Sequence, residues 1–155
     1  MKKLVSIMAM LLCAASLAAC GAKNTASDGF DPAQIASMLN KSAHFSEELS
    51  EASQDILLRR YGLDDTTVEA AAGYAGTPAV VDEIAVFKTD DIEAVTEAAM
   101  TRIASQKTTY ESYAPNEMPK LDDAVVETIG DCVVVCVSND PSADVSDMLL
   151  AFAKN

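Results

Sequence analysis

The sequence predicts an α+β domain with an antiparallel four-stranded sheet from two β-hairpins, a long helix between them and further helices at both ends. The first observation is that strand-like runs come in pairs, residues 67–75 with 79–88 and residues 124–129 with 132–138. The run over 67–75 is alanine-rich, whereas the run over 79–88 is rich in β-branched and aromatic residues. The second is that residues 89–113 contain neither glycine nor proline and place apolar side chains at helical spacing. Two hairpins can merge into one sheet, and the long helix would then cover one face.

Boundary signals place the remaining helices. The pair Asp31-Pro32 predicts the start of the first helix, with aspartate as the cap and proline in the first turn. A second helix is expected over residues 50–61, with Gly62 as its stop. Pro141 opens a terminal helix with an apolar face.

Turn residues separate the predicted strands. Residues 76–78 form the turn of the first hairpin, and residues 130–131, a Gly-Asp pair, suit a tight two-residue turn in the second. Thr89 or Asp90 is expected to cap the long helix. Residues 114–119 are expected to form the loop that follows it.

The N-terminal segment has the layout of a secretory lipoprotein signal. Lys2 and Lys3 precede an apolar run over residues 4–17, which is shorter than the ~20 residues a spanning helix needs. The run Leu17-Ala-Ala-Cys20 resembles a bacterial lipobox, which predicts cleavage before Cys20 and lipidation of its thiol. Two acyl chains give stable anchoring. An ordinary cleaved signal, an uncleaved anchor and a chance cysteine are the alternatives.

This interpretation divides the chain into three parts. Residues 1–19 are the signal peptide, residues 20–29 the lipidated cysteine with a flexible tether, and residues 30–155 a single α+β domain. The nine residues from Gly21 to Gly29 predict a root-mean-square span of roughly 15–18 Å for the tether. The expected location is the cell membrane, lipid-anchored on the extracytoplasmic side.

The net negative charge of the chain restricts the partners that it can bind. The formal net charge of −13 becomes more negative when Lys2 and Lys3 leave with the signal. An acidic chain is a poor ligand for nucleic acid, and anionic lipid repels it, so the membrane is expected to be reached through the N-terminal lipid alone. The acidity suits a basic partner or serves solubility.

The remaining cysteines predict no chemistry. Cys13 leaves with the signal, while Cys132 and Cys136 lie within one predicted strand, about 13 Å apart along one face. Disulfide formation needs Cα atoms within about 7 Å, so buried free thiols are expected.

Several segments together resemble a known family. They are Asp82-Glu-Ile-Ala-Val-Phe-Lys88, Tyr110-Glu-Ser-Tyr-Ala-Pro115 and Leu121-Asp-Asp-Ala-Val-Val126, which follow the lipobox and precede a valine-rich strand. The set resembles the small bacterial lipoproteins grouped as domain of unknown function 4358, over nearly the whole mature chain. The resemblance implies a cell-surface lipoprotein with an α+β domain, and it brings no activity, substrate or catalytic residue.

No catalytic residue is predicted. His44 is the only histidine, and the G-x-S-x-G elbow of serine hydrolases is absent. Asp82 and Glu83 are candidate functional residues, because neighbours on a strand point to opposite faces. One of the two carboxylates must meet the helix layer, unless the strand lies at an edge or is bulged at this point. Such a carboxylate would have a raised pKa or a partner such as Lys88 or Arg102.

Tyr110 and Tyr113 are the other candidate functional residues, forming either a recognition patch or the closure of the core at the end of the long helix. Asp140, Asp144 and Asp147 cluster near the C-terminus but lack the spacing of a calcium loop. No metal and no cofactor are expected.

The sequence thus favours a non-enzymatic, membrane-anchored module that binds a protein or small ligand or assists an envelope process. A hydrolase of the envelope that uses Glu83 is one alternative. A structural subunit of a membrane assembly is another.

Overall fold

The computed structural model describes residues 30–154, so the predicted signal, Cys20 and the whole tether lie outside the described residues. The helices are α1 (Pro32–Ser42), α2 (Gln54–Tyr61), α3 (Ile92–Tyr113), α4 (Met118–Asp122) and α5 (Pro141–Phe152), with a 3₁₀ turn at Pro115–Glu117. The strands are β1 (Ser50–Ala52), β2 (Ala70–Ala75), β3 (Glu83–Lys88), β4 (Val125–Ile129) and β5 (Cys132–Val137).

The strands form one antiparallel sheet in the order β1-β2-β3-β5-β4. The α+β class is confirmed, and so is the merging of two hairpins, because β3 pairs with β5 at the centre. The expected count of four strands is wrong, since β1 adds a fifth at the edge beside β2. This strand occupies the first residues of the predicted helix over 50–61, and three residues are too few to show a period of two.

Two strands are shorter than predicted. The strand predicted over residues 67–75 begins only at Ala70. Thr67 belongs to a turn in which the Asp64 carboxylate accepts hydrogen bonds from the backbone N–H groups of Thr66 (3.0 Å) and Thr67 (3.2 Å). Residues 76–82 form a wide loop where a tight turn over 76–78 was expected, and β3 begins only at Glu83.

Helices cover both faces of the sheet. Ala85 and Phe87 of β3 pack in the core beneath α2 and α3, while Ile84 and Val86 pack beneath α1 and α5. This arrangement makes β3 and β5 central and almost fully buried. It explains the valine-rich run of β5, which lacks the polar alternation of a one-sided strand.

The helix ends agree in part with the prediction. Asp31 caps α1 through Oδ1 and the N–H of Ala33, at 3.0 Å, and α3 ends at Tyr113 as expected. Asp91, and neither Thr89 nor Asp90, caps α3, because its Oδ1 accepts from Ala94 N–H at 3.0 Å. Thr89 instead accepts from the N–H of Asp91 at 2.9 Å.

The prediction of a loop over residues 114–119 is also wrong for most of this segment. It forms the 3₁₀ turn and the start of α4, where Pro119 is tolerated in the first turn because no helical N–H is needed there. Gly130 adopts φ of 60° in the turn between β4 and β5, a left-handed conformation that favours glycine.

Cys132 and Cys136 are free and buried, as predicted. Burial raises the pKa of each thiol to about 12, so both stay protonated at neutral pH. Between residues 30 and 154, no helix has the length and hydropathy that crossing a membrane requires.

Candidate functional site

A cavity of about 190 Å³ opens beneath the loop that joins β2 to β3. Its walls come from the loop, from the start of β3 and from the second half of α3. Three of the predicted residues line it, namely Asp82, Glu83 and Tyr110. Arg60, Arg102 and Gln106 supply the other long polar side chains.

Glu83 faces the helix layer, as strand alternation predicted for one of the two carboxylates. It shares its face of β3 with Ala85 and Phe87, and it is only 3% exposed. Arg102 donates from Nε to Oε1 at 3.1 Å and from Nη2 to Oε2 at 2.6 Å. The Tyr61 hydroxyl donates to the same Oε1 at 2.7 Å, so three hydrogen bonds hold the carboxylate.

The groups around Glu83 stabilise one another. Burial and the Glu83 charge raise the pKa of Tyr61 well above its usual value, so the phenol stays a hydrogen-bond donor. Burial lowers the pKa of Arg102, but its hydrogen bonds to Glu83 outweigh this and raise the pKa overall. The guanidinium carbon also lies 5.2 Å from the centroid of the Tyr61 ring, within cation–π range.

The partner expected for this carboxylate was Lys88 or Arg102. Arg102 is confirmed. Lys88 lies at the far end of β3 and instead pairs with Glu69 at 3.3 Å and Asp131 at 3.7 Å.

Asp82 is buried as well, in a second ion cluster. The Lys120 ammonium donates to Asp82 Oδ2 at 2.9 Å, to Glu117 Oε2 at 2.8 Å and to the Ser46 hydroxyl at 2.7 Å. Glu117 also accepts from the N–H of Val81 at 3.2 Å, which ties the loop to the 3₁₀ turn before α4. Asp82 Oδ1 is buried and has no hydrogen-bond partner among residues 30–154.

Ser46 and Lys120 have the spacing of a serine–lysine catalytic pair, in which a neutral lysine takes the serine proton. The groups around Lys120 keep it protonated, which prevents this chemistry. Burial lowers the pKa of Lys120, but the hydrogen bonds to Glu117 and Asp82 outweigh it and raise the pKa overall. A lysine held as an ammonium ion cannot act as a base, so the pair is structural.

The two tyrosines have different positions. Tyr110 is partly buried, and its hydroxyl lies 3.0 Å from the carbonyl oxygen of Pro78 and 3.1 Å from that of Val80, so it anchors the loop above the cavity. Tyr113 is 66% exposed and contacts Tyr110 edge to face, with ring centroids 5.9 Å apart. It does not line the cavity.

A larger depression of about 480 Å³ lies where β2 begins, beside the start of α3. Its charged side chains are all acidic: Asp65, Glu69, Asp90 and Asp91. Across residues 30–154, no group of three or more histidine, cysteine or carboxylate side chains is placed to hold a metal ion. The smaller cavity is the better candidate because it joins buried groups of both charges.

The pairing of His44 with Asp144 was missed from the sequence. His44 Nδ1 lies 2.7 Å from Asp144 Oδ1, and the His44 backbone N–H donates to Oδ2 at 3.1 Å. Asp144 is buried and also accepts from the Ser138 hydroxyl, whereas the imidazole is 68% exposed. The two residues stand 100 positions apart, and no local pattern links them.

Fold and site together define a small antiparallel α+β protein with helices on both sheet faces and a polar cavity at one end of the sheet. The chain belongs to the family described as Domain of unknown function (DUF4358), whose model matches residues 41–138. The resemblance seen in the sequence is thereby confirmed, over a range that leaves out most of α1 and all of α5. No curated protein matches the chain. No solved structure matches it either.

Proposed function

We propose that this protein is a lipid-anchored, extracytoplasmic binding module and that the cavity beneath the β2–β3 loop holds its ligand. The lipobox-like run that ends at Cys20 supports the anchoring. The observation that carries the binding role is the placement of Arg60 at the cavity. Its Nη1 lies 3.9 Å from Glu83 Oε2, too far for a hydrogen bond. Within residues 30–154 the Arg60 guanidinium makes no hydrogen bond, so its N–H donors can bind a ligand.

The chemistry of the cavity favours an anionic group. The chain contains three arginines, and two of them, Arg60 and Arg102, meet here in a protein of net charge −13. Arg102 is neutralised by Glu83, which leaves Arg60 to bind a carboxylate or phosphate group in a two-point contact. The volume of about 190 Å³ equals the liquid volume of roughly six water molecules, which suits a small polar group.

A hydrolase that uses Glu83 has less support. Oε1 already accepts from Tyr61 and Arg102, and Oε2 accepts from Arg102. A general base needs a free oxygen within reach of the proton that it removes. The other alternative is a structural subunit of a membrane assembly. Such a subunit would co-purify with integral membrane proteins after mild detergent extraction.

Anchoring is tested by metabolic labelling with a fatty-acid analogue. The wild type is expected to carry the label and to fractionate with membranes, and Cys20→Ser is expected to lose both properties. Label that survives Cys20→Ser would refute the lipid anchor.

Ligand binding is tested by nuclear magnetic resonance of the arginine side chains, of which there are only three. Titration with acetate and, separately, with inorganic phosphate should shift the Nε–H signal of Arg60. Arg59 is the matched control, because its Nε donates to the Asp55 carbonyl at 3.3 Å and it lies outside the cavity. Equal shifts for both arginines, or none at Arg60, would contradict the site.

A further inference from the structure

An apolar surface surrounds the point where the described chain begins. Phe30, Leu149 and Leu150 are 38%, 38% and 59% exposed, and we call them the apolar end face. The Phe30 ring packs edge to face on Phe152, with centroids 5.7 Å apart, and Leu149 lies one turn before Phe152 on α5. The three side chains therefore belong to one end of the molecule.

The outer side of α5 presents two leucines. Its buried side is formed by Val145 and Met148, and at 3.6 residues per turn Leu150 points directly away from it. The exposed residues of the helix are Ser142, Ser146, Asp147, Leu149 and Leu150. Asp147 is the charged one among these five, and Leu149 and Leu150 are the apolar ones.

This end is also the one to which the N-terminal segment is joined. Phe30 follows Cys20 by ten residues, a length that spans at most about 35 Å. The backbone N–H of Phe30 donates to Asp131 Oδ1 at 3.3 Å, and the Phe30 ring lies against Gly130. A lipid on Cys20 would therefore hold the apolar end face close to the bilayer.

We propose that the apolar end face docks on the lipid bilayer, with Phe30, Leu149 and Leu150 at the boundary between headgroups and acyl chains. The proposal rests on the lipid anchoring proposed above. An apolar helix face enters this boundary by about 5–10 Å.

Docking sets the direction of the candidate site. Residue Lys88 of β3 pairs with Cys132, next to the Gly130 turn and Phe30, whereas Glu83 pairs with Val137 at the other end. The cavity and the apolar end face thus lie at opposite ends of the central strands, roughly 17 Å apart along β3. A domain docked in this way presents its cavity away from the bilayer.

A tryptophan reporter tests the docking, because the chain contains no tryptophan. The lipidated full chain, purified in detergent, is reconstituted into phosphatidylcholine vesicles whose acyl chains are brominated near the headgroup. Leu150→Trp places the reporter in the apolar end face. Met100→Trp is the matched control, since Met100 is 58% exposed and lies on α3, on the other face of the sheet.

The docked state predicts several-fold stronger quenching for Leu150→Trp than for Met100→Trp, with a blue-shifted emission only at position 150. Vesicle flotation with equal or absent quenching at both positions would overturn the docking and leave the anchor intact. Failure of the wild-type protein to float with the vesicles would overturn both the docking and the lipid anchor. A concentration-dependent blue shift of Leu150→Trp without vesicles would overturn it in favour of contact with a second copy.

Discussion

Arg102 of α3 donates two hydrogen bonds to the carboxylate of Glu83 in β3. They measure 3.1 Å from Nε to Oε1 and 2.6 Å from Nη2 to Oε2. The contact joins α3 to a central strand at the edge of the cavity. Because the Glu83 side chain is 4% exposed and that of Arg102 18%, water cannot replace either partner well. The ion pair therefore fixes the floor of the site.

Arg102→Ala should destabilise the protein by about 3–5 kcal/mol, because it leaves the Glu83 carboxylate buried without its main cation. Lys107→Ala is the control on the same helix. Lys107 pairs with Asp122 at 2.9 Å at the surface, and its loss should cost less than about 1 kcal/mol. Urea unfolding followed by circular dichroism measures both variants, and equal losses would show that the buried pair is not special.

A double variant separates loss of the pair from loss of packing. Combining Arg102→Met with Glu83→Leu removes both charges and keeps apolar volume. It should destabilise the protein by less than the sum of the two single changes. Additive losses would contradict the coupling.

The sequence predicted the hairpins and the long helix because their signals are local. Residues 89–113 lack glycine and proline, and β5 is a continuous apolar run, so periodicity and composition sufficed. The edge strand β1 was missed because it exists only through pairing with β2, with Glu51 opposite Tyr74. A three-residue segment shows no sequence pattern that would predict pairing with a strand 23 positions away.

The candidate site was also predicted only in part: a buried carboxylate was expected, but its neighbouring cluster was not. Alternation along β3 indicated that one of Asp82 and Glu83 is buried, but the structure buries both. Lys120 stands 38 positions from Asp82, in a segment expected to be a loop or its edge, so nothing local marks it as the partner. Tertiary contacts of this kind are invisible to spacing arguments.

Lys120→Met should destabilise the protein by about 3–5 kcal/mol, since Asp82 and Glu117 would both remain buried without a cation. Adding Asp82→Asn to Lys120→Met should recover part of this loss, because it removes one of the two uncompensated charges. The free energies of unfolding of the single and double variants test this. A double variant that is less stable than Lys120→Met would contradict the assignment.

Gly73→Ala tests the packing of β2 against β3. A Cβ at position 73 would overlap the carbonyl oxygen of Ile84, so the strands must shift. The expected loss is about 1–3 kcal/mol, as in other overpacked cores. Thermal unfolding measures it, and a midpoint equal to that of the wild type would refute the close approach.

The cysteines predict a reactivity test of the folded state. Cys132 and Cys136 are buried with pKa values of about 12, so the native protein should react very slowly with a thiol reagent such as dithionitrobenzoate at neutral pH. In urea both thiols should react at the rate of free cysteine. Rapid reaction of the native protein at either position would contradict their burial.

The His44–Asp144 contact predicts a pH dependence of stability. The hydrogen bond to Asp144, together with the charges of Asp144, Asp140 and Asp147, raises the pKa of His44 above 6.5. A raised folded pKa means that the stabilisation is fully present below about pH 6.5 and is lost as the pH rises through the folded pKa. His44→Gln should therefore lower the free energy of unfolding more at about pH 5.5 than at about pH 8.5. Ser142→Ala, a change at an exposed position of the same region, should show no such difference, and a loss for His44→Gln that grows with pH would give the wrong sign for this contact.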